Sequence, residues 1–255
     1  MRKKICIIVI LTIIAIFFIG CTSKNKGAEI NISAAASLME ALEEIKTEYE
    51  KFSDSKVYLN FASSGALKKQ IQEGAPCDIF ISASKDHMKD LIKEGHIIKN
   101  SEIDLLVNTL TLIASKEKAH EVSLENLSSD MIESISIATP DSAPVGKYSK
   151  QALEKLEIWD KITEKLVYAK DVKQVLEYVD SGNADCGFVY HSDAITLKES
   201  VIIERIDKNL HDPIVYPVGV VDESKNKEAA EDFLEFLNGE NIKGIFSKYG
   251  FEVID

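Results

Sequence analysis

Residues 30–40 constrain the fold of this chain more than any other stretch. Ile30 and Ile32 alternate with Asn31 and Ser33, the two-residue period of a strand, and the run then stops on Ala34, Ala35 and Ala36. Ser37 stands where a helix N-cap belongs, and Glu40 follows at the capping-box spacing. Beyond it Leu38, Leu42, Ile45, Tyr49 and Phe52 recur every three or four residues, one apolar stripe of a helix. A strand that turns at once into a helix aims unpaired N–H groups and the positive end of the helix dipole at a point above the strand's C-terminal edge. That point suits an anion. The same turn recurs downstream, and we read four of them as arranged around one pocket.

Strand and helix signals alternate through the rest of the chain, the pattern of sheets with helices on both faces. Strands are expected at 56–61, 78–81, 109–114, 134–138, 167–169, 186–190, 201–206 and 214–221, the last broken only by Pro217. Helices are expected at 67–73, around Met88, Leu91 and Ile92, at 145–156, after Asp171, at 227–237 and at 241–249. The fold class is therefore α/β with two lobes, each a mostly parallel sheet flanked by helices, and a ligand cleft between them. The long apolar strands near Leu110 and Pro217 are the natural crossings. They place residues 29–108 and 217–255 in lobe I and residues 109–216 in lobe II. In open α/β sheets ligands bind at the carboxyl ends of strands.

The first 20 residues stand apart. Arg2, Lys3 and Lys4 precede an uncharged apolar run over 5–19, shorter than the roughly 20 residues of a comfortable membrane span. The run reads as a signal peptide over 1–20. It ends in Phe18-Ile19-Gly20-Cys21, which resembles the lipobox of bacterial lipoproteins and implies lipidation at Cys21, with 21–28 as a tether. Phe18 departs from the leucine which that pattern prefers, and an uncleaved membrane anchor is the alternative. Both readings put the folded part on the extracytoplasmic face of the cell membrane. Removing residues 1–20 takes away three positive charges and moves the net charge from -12 to -15. Such acidity argues against nucleic acid as a partner. Any anion site must then work through local dipoles.

Cys77 and Cys186 remain beyond the lipobox, without CxxC or histidine pairing. They read as buried free thiols, with a disulfide as the alternative. The five histidines show no metal-ligand spacing such as HExxH, and no metal-ion site is read.

Six motifs carry a resemblance that spans the chain after the tether. They are Ala34-Ala35-Ala36-Ser37-Leu38, Phe61-Ala62-Ser63-Ser64, the run from Gly74 to Ala83, Pro144-Val145-Gly146-Lys147-Tyr148, Asp171-Val172, and Gly187-Phe188-Val189-Tyr190. The closing Phe246-Ser247-Lys248-Tyr249-Gly250-Phe251 adds to them. Together and in this order they resemble the molybdate-binding proteins of molybdate ABC transporters, type II periplasmic-type binding proteins. The resemblance implies a tetrahedral oxyanion, molybdate or tungstate, held by Ser37 and Ser64 through hydroxyl and N–H, by the N–H groups of Val145 and Val172, and by the Tyr190 hydroxyl. Molybdenum would enter only as that oxyanion, with no separate cofactor. The implied partners are a membrane permease and its ATPase, and the implied state is a monomer.

Taken singly, each of these residues has a plainer reading: a helix cap for the serines, core for Val172 and Tyr190. Pro144 lacks an N–H, so Val145 and Gly146 supply the first free donors of their helix. Five candidates at element ends favour a site. A donor-only site satisfies a fully ionised oxyanion but leaves the O–H of hydrogenphosphate unpaired, at about 1–3 kcal/mol. Lys147 and Lys170 lie near the proposed helix starts and read as solvated surface. Catalysis is the rival from another class, but neither Ser37 nor Ser64 lies in G-x-S-x-G and no histidine–acid partner stands out. A binding protein for another ligand, such as sulfate, phosphate or an organic acid, is the other rival, and no arginine at the proposed site offers the bidentate fork that carboxylate recognition needs.

Overall fold

The computed structural model describes residues 27–254. The expected signal segment, most of the tether and Cys21 lie outside the described residues. The chain opens with β1 (Glu29–Ala35), a 3-10 turn (Ala36–Leu38), α1 (Met39–Phe52), β2 (Lys56–Ala62), α2 (Ser64–Gln72), β3 (Ile79–Ile81), α3 (Lys85–Glu94) and β4 (Ile103–Val107). It crosses to β5 (Leu110–Ser115), β6 (Ile135–Ala138), α4 (Pro144–Lys155), α5 (Trp159–Ile162), β7 (Leu166–Ala169), α6 (Val172–Asp180), β8 (Cys186–Tyr190), α7 (His191–Ala194) and β9 (Ser200–Arg205). It returns through β10 (Val215–Val220) and closes with α8 (Lys227–Leu237), α9 (Glu240–Lys248) and β11 (Glu252–Val253).

Two sheets result. One has six strands in the order β11-β4-β10-β3-β1-β2, and the other has five in the order β7-β6-β8-β5-β9. Both are mixed, which corrects the expectation of mostly parallel sheets. β1 runs parallel to β2 and β3, and β6 parallel to β7 and β8. Most antiparallel pairs gather where the chain changes sheet, β10 against β3 and β4 and β5 against β8 and β9, and β11 adds one more against β4. A strand that arrives from the other sheet enters with the opposite direction, and no local period records that. Pro217 sits inside β10, where the ladder to β4 shifts register between Tyr216 and Pro217. The shift falls where proline has no N–H to give. Its carbonyl still accepts from Ser82 N–H at 3.0 Å.

The apolar stripes bury as their spacing requires. On α1, Leu42 and Ile45 are fully covered, whereas Phe52, the last member of the stripe, is 80% exposed at the helix end. On α6, Val172, Val175 and Val179 face the core. Cys77 and Cys186 are both free and buried. Burial pushes the Cys77 thiol up to about 11, and a protonated thiol is a poor nucleophile.

Candidate functional site

Four strand-to-helix turns and one strand end meet at a single cavity. The first turn joins β1 to α1 and differs from its expected form. Ser37 lies inside the 3-10 turn, α1 begins after Leu38, and neither start has a side-chain cap. The capping box does not form. The extra turn carries Ser37 past the cap position, and its Oγ lies 2.8 Å from the Tyr216 hydroxyl instead. Glu40 is drawn to Lys173, 2.6 Å away.

In the second turn Ser63, not Ser64, is the N-cap, and its Oγ accepts from Ala66 N–H at 3.4 Å. Ser64 is the first helical residue and is fully buried; its Oγ accepts from Ala83 N–H at 2.9 Å. That bond takes one acceptor position of the oxygen and leaves the Ser64 hydroxyl proton to give. In the third turn Pro144 opens α4, so the donors begin at Val145. Gly146 lets α4 lie against the end of β6, because a Cβ there would sit 2.0 Å from the Ala138 carbonyl oxygen. In the fourth turn Asp171 caps α6 by accepting from Gln174 N–H at 3.0 Å. The cap leaves Val172 N–H, in the first turn, without an intrahelical acceptor.

Tyr190 ends β8 and is 2% exposed, and its hydroxyl has no partner among the described residues. Burial pushes this phenol well above its ordinary value, so it remains an O–H donor. Its ring meets Tyr216 edge-on at 5.9 Å.

All five residues singled out in the sequence line this one cavity. The other lining residues are mostly small, among them Ala35, Ala36, Ala62, Ala83 and Ala143, so backbone comes close to whatever occupies the space. Neither lysine nor arginine lines it. Lys170 is exposed, and two other nearby lysines are engaged elsewhere: Lys147 Nζ lies 2.6 Å from Asp86, and Lys173 Nζ lies 2.6 Å from Glu40 and 2.9 Å from Asp193. Among the described residues Asp171 is the single acidic one of the lining, and its Oδ1 is taken up as the α6 cap. The cavity thus presents neutral donors and very few acceptors.

Several contacts tie the two sheets together around it. Gly65 N–H donates to Ser142 O at 2.9 Å, and Tyr148 OH donates to Ala83 O at 3.3 Å. Sequence reasoning missed Ala83, Tyr216, Asn108 and Lys173. Ala83 stands inside a quoted motif, yet its bond to Ser64 spans 19 positions and leaves no local trace.

Residues 30–252 match the family described as bacterial extracellular solute-binding protein. YvgL of Bacillus subtilis, described as an ABC transporter substrate-binding lipoprotein, is 40% identical, covering 98% of this chain and 99% of the relative. The molybdate-binding protein ModA of Haemophilus influenzae is 35% identical over 88% of this chain and 90% of its own length. Among solved structures, the periplasmic molybdate-binding protein of Azotobacter vinelandii superposes with a TM-score of 0.79 at 26% identity, covering 89% of this chain and all of that one. Two mixed sheets joined by two crossings, a cavity where strand ends meet helix starts, and this degree of likeness along nearly the whole chain lead to one statement: the chain belongs to the bacterial extracellular solute-binding protein family.

Proposed function

We propose that this protein captures molybdate, and tungstate of nearly equal size, outside the cytoplasmic membrane and hands it to an ABC permease driven by a cytoplasmic ATPase. The ligand is held by the Ser37 and Ser64 hydroxyl and N–H groups, by Val145 and Val172 N–H, and by the Tyr190 hydroxyl. The six-stranded sheet and its helices form one lobe, with the return at β10 two residues before the expected 217, the five-stranded sheet and its helices form the other, and they close over the ion. A lipid on Cys21 tethers the monomer to the membrane surface, and binding is its whole activity. The observation that carries this reading is the buried, unpartnered Tyr190 hydroxyl in a cavity lined otherwise by helix-start N–H groups and serine hydroxyls, with one carboxylate, Asp171, engaged as a helix cap. A buried O–H without an acceptor is costly, and a fully ionised tetrahedral oxyanion supplies what it lacks. The names of the relatives support the choice of molybdate.

Calorimetry with molybdate, tungstate, sulfate and phosphate tests it. Tight binding of the first two and weak or absent binding of phosphate is the expected result; tight sulfate binding with no response to molybdate overturns it. Tyr190→Phe removes one hydrogen bond to a charged group, so molybdate affinity is expected to fall by about 1.5–3 kcal/mol. An unchanged affinity removes Tyr190 from the ligand set. The pH profile is a further check. Burial raises the Tyr190 phenol, and the donor is lost only on ionisation. Molybdate affinity therefore holds as the pH rises to the ordinary tyrosine value of about 10. A decline beginning near pH 8 would point to another group.

A further inference from the structure

A hydroxyl can give a hydrogen bond or take one, and the residues behind Ser37 decide which it does toward the cavity. The decision starts where the chain crosses from β4 to β5. Thr109 N–H donates to Asn108 Oδ1 at 2.8 Å, which fixes the amide with its Nδ2 turned inward. Nδ2 then donates to Ser192 Oγ at 2.9 Å and to the Tyr216 hydroxyl at 3.3 Å. An amide NH₂ cannot accept, so Tyr216 receives from this side and must place its own proton elsewhere. Tyr216 is fully buried. Its one remaining partner among the described residues is Ser37 Oγ, 2.8 Å away. The phenol proton goes there. Ser37 in turn has no other hydrogen-bond partner among the described residues, and it is 3% exposed on the cavity wall. Its own proton points into the cavity.

We infer that Asn108 and Tyr216 are positioning residues of a one-way relay, Asn108 N–H to Tyr216 O–H to Ser37 O–H, which takes up one of the two acceptor positions on Ser37, leaves its proton for the cavity and so favours oxyanions that carry no proton. Ser64 reaches the same state by a shorter route, since Ala83 N–H takes one acceptor position of its oxygen. The inference rests on the oxyanion reading above and adds the cause of selectivity to it. A protonated oxyanion needs an acceptor, and the relay takes up one of the two acceptor positions that Ser37 has while turning its proton toward the ligand.

The test is a double-mutant cycle with Tyr216→Phe, which keeps the ring against Tyr190 and Phe251 and removes only the hydroxyl. Wild type, Tyr216→Phe, Ser37→Ala and the double variant are titrated with molybdate and with inorganic phosphate at neutral pH, each with its melting temperature. Tyr216→Phe is expected to weaken molybdate binding about tenfold when Ser37 is present, one hydrogen bond's worth, and to have no effect in the Ser37→Ala background. The ratio of phosphate to molybdate affinity is expected to rise by about the same factor, because the serine then has both acceptor positions free. Equal losses in both backgrounds with an unchanged ratio mean that Tyr216 is only scaffold, and overturn the relay while leaving the oxyanion reading intact. A wild-type protein that binds neither anion overturns both. Asn108→Leu keeps both hydroxyls and removes the donor that orients them. There too the ratio rises, and an unchanged ratio in a folded variant removes Asn108 from the relay; if that variant fails to fold, the Tyr216→Phe cycle decides alone.

Discussion

Replacing Lys173 with methionine is expected to cost about 3–5 kcal/mol of stability, the penalty for stripping the partner from a buried charge. Asp193 on α7 is fully buried, and the Lys173 ammonium at 2.9 Å is the charge that balances it. Lys173 is itself mostly covered. Burial works against its charge, but Asp193 and Glu40 outweigh that, and its pKa is raised. Burial pushes the Asp193 carboxyl upward, and Lys173 pulls against that shift. Without the lysine only the upward push remains. A carboxyl raised in the folded state binds protons more readily there than in the unfolded chain, so stability falls as pH rises through its titration. The deficit is therefore full at neutral pH and shrinks as the medium becomes acidic. Denaturant melts of wild type and Lys173→Met across that range check both the size and the sign. A deficit below about 1 kcal/mol, the worth of an exposed pair, would mean that Asp193 is not ionised in the folded protein. Glu40→Gln touches the more exposed end of the same cluster, where the carboxylate side chain is 37% accessible, and should cost far less.

Gly65→Ala is expected to weaken ligand binding by about 5–150-fold while leaving the melting temperature of the ligand-free protein nearly unchanged, the range given by 1–3 kcal/mol of overpacking. Gly65 opens α2 from the six-stranded side, and Ser142 belongs to the turn before α4 on the other side. A Cβ on residue 65 would stand 2.4 Å from the Ser142 carbonyl oxygen and 3.0 Å from its Cα, both backbone atoms that cannot swing aside. The methyl group also threatens the 2.9 Å bond from Gly65 N–H to Ser142 O. On the closure proposed above, lobes that part without ligand would escape the clash, and the penalty would fall on the closed, ligand-bound arrangement. Calorimetry paired with thermal melting separates these effects. A large loss of melting temperature with normal affinity would place the strain within one lobe rather than between two.

The turns were legible in the sequence because their signals are local. The strand β8 and the helix α8 fall at the expected residues, 186–190 and 227–237. Proline at 144 and aspartate at 171 mark helix starts wherever the chain goes afterwards. What escaped was non-local. Strand direction in a mixed sheet depends on which sheet a segment arrives from, and a period of two says nothing about that. The cap expected at Ser37 had the right residues at the right spacing, yet a 3-10 turn moved the helix start and a partner 179 positions away took the hydroxyl. The short helix α7, four residues long, shows no period, and it carries Asp193. Of the cavity, its backbone frame could be read in advance; the residues that orient its hydroxyls could not.

The central claim is that neutral dipoles from separate pieces of main chain, with three hydroxyls, hold a doubly charged tetrahedron inside an acidic protein. A crystal structure of the complex with molybdate tests it most directly. The ion is expected in the cavity, its oxygens within hydrogen-bond reach of Ser37 and Ser64, of the Val145 and Val172 N–H groups and of the Tyr190 hydroxyl, with Lys147 and Lys173 still on their carboxylates. An ion seated elsewhere, or gripped by either lysine, would contradict it.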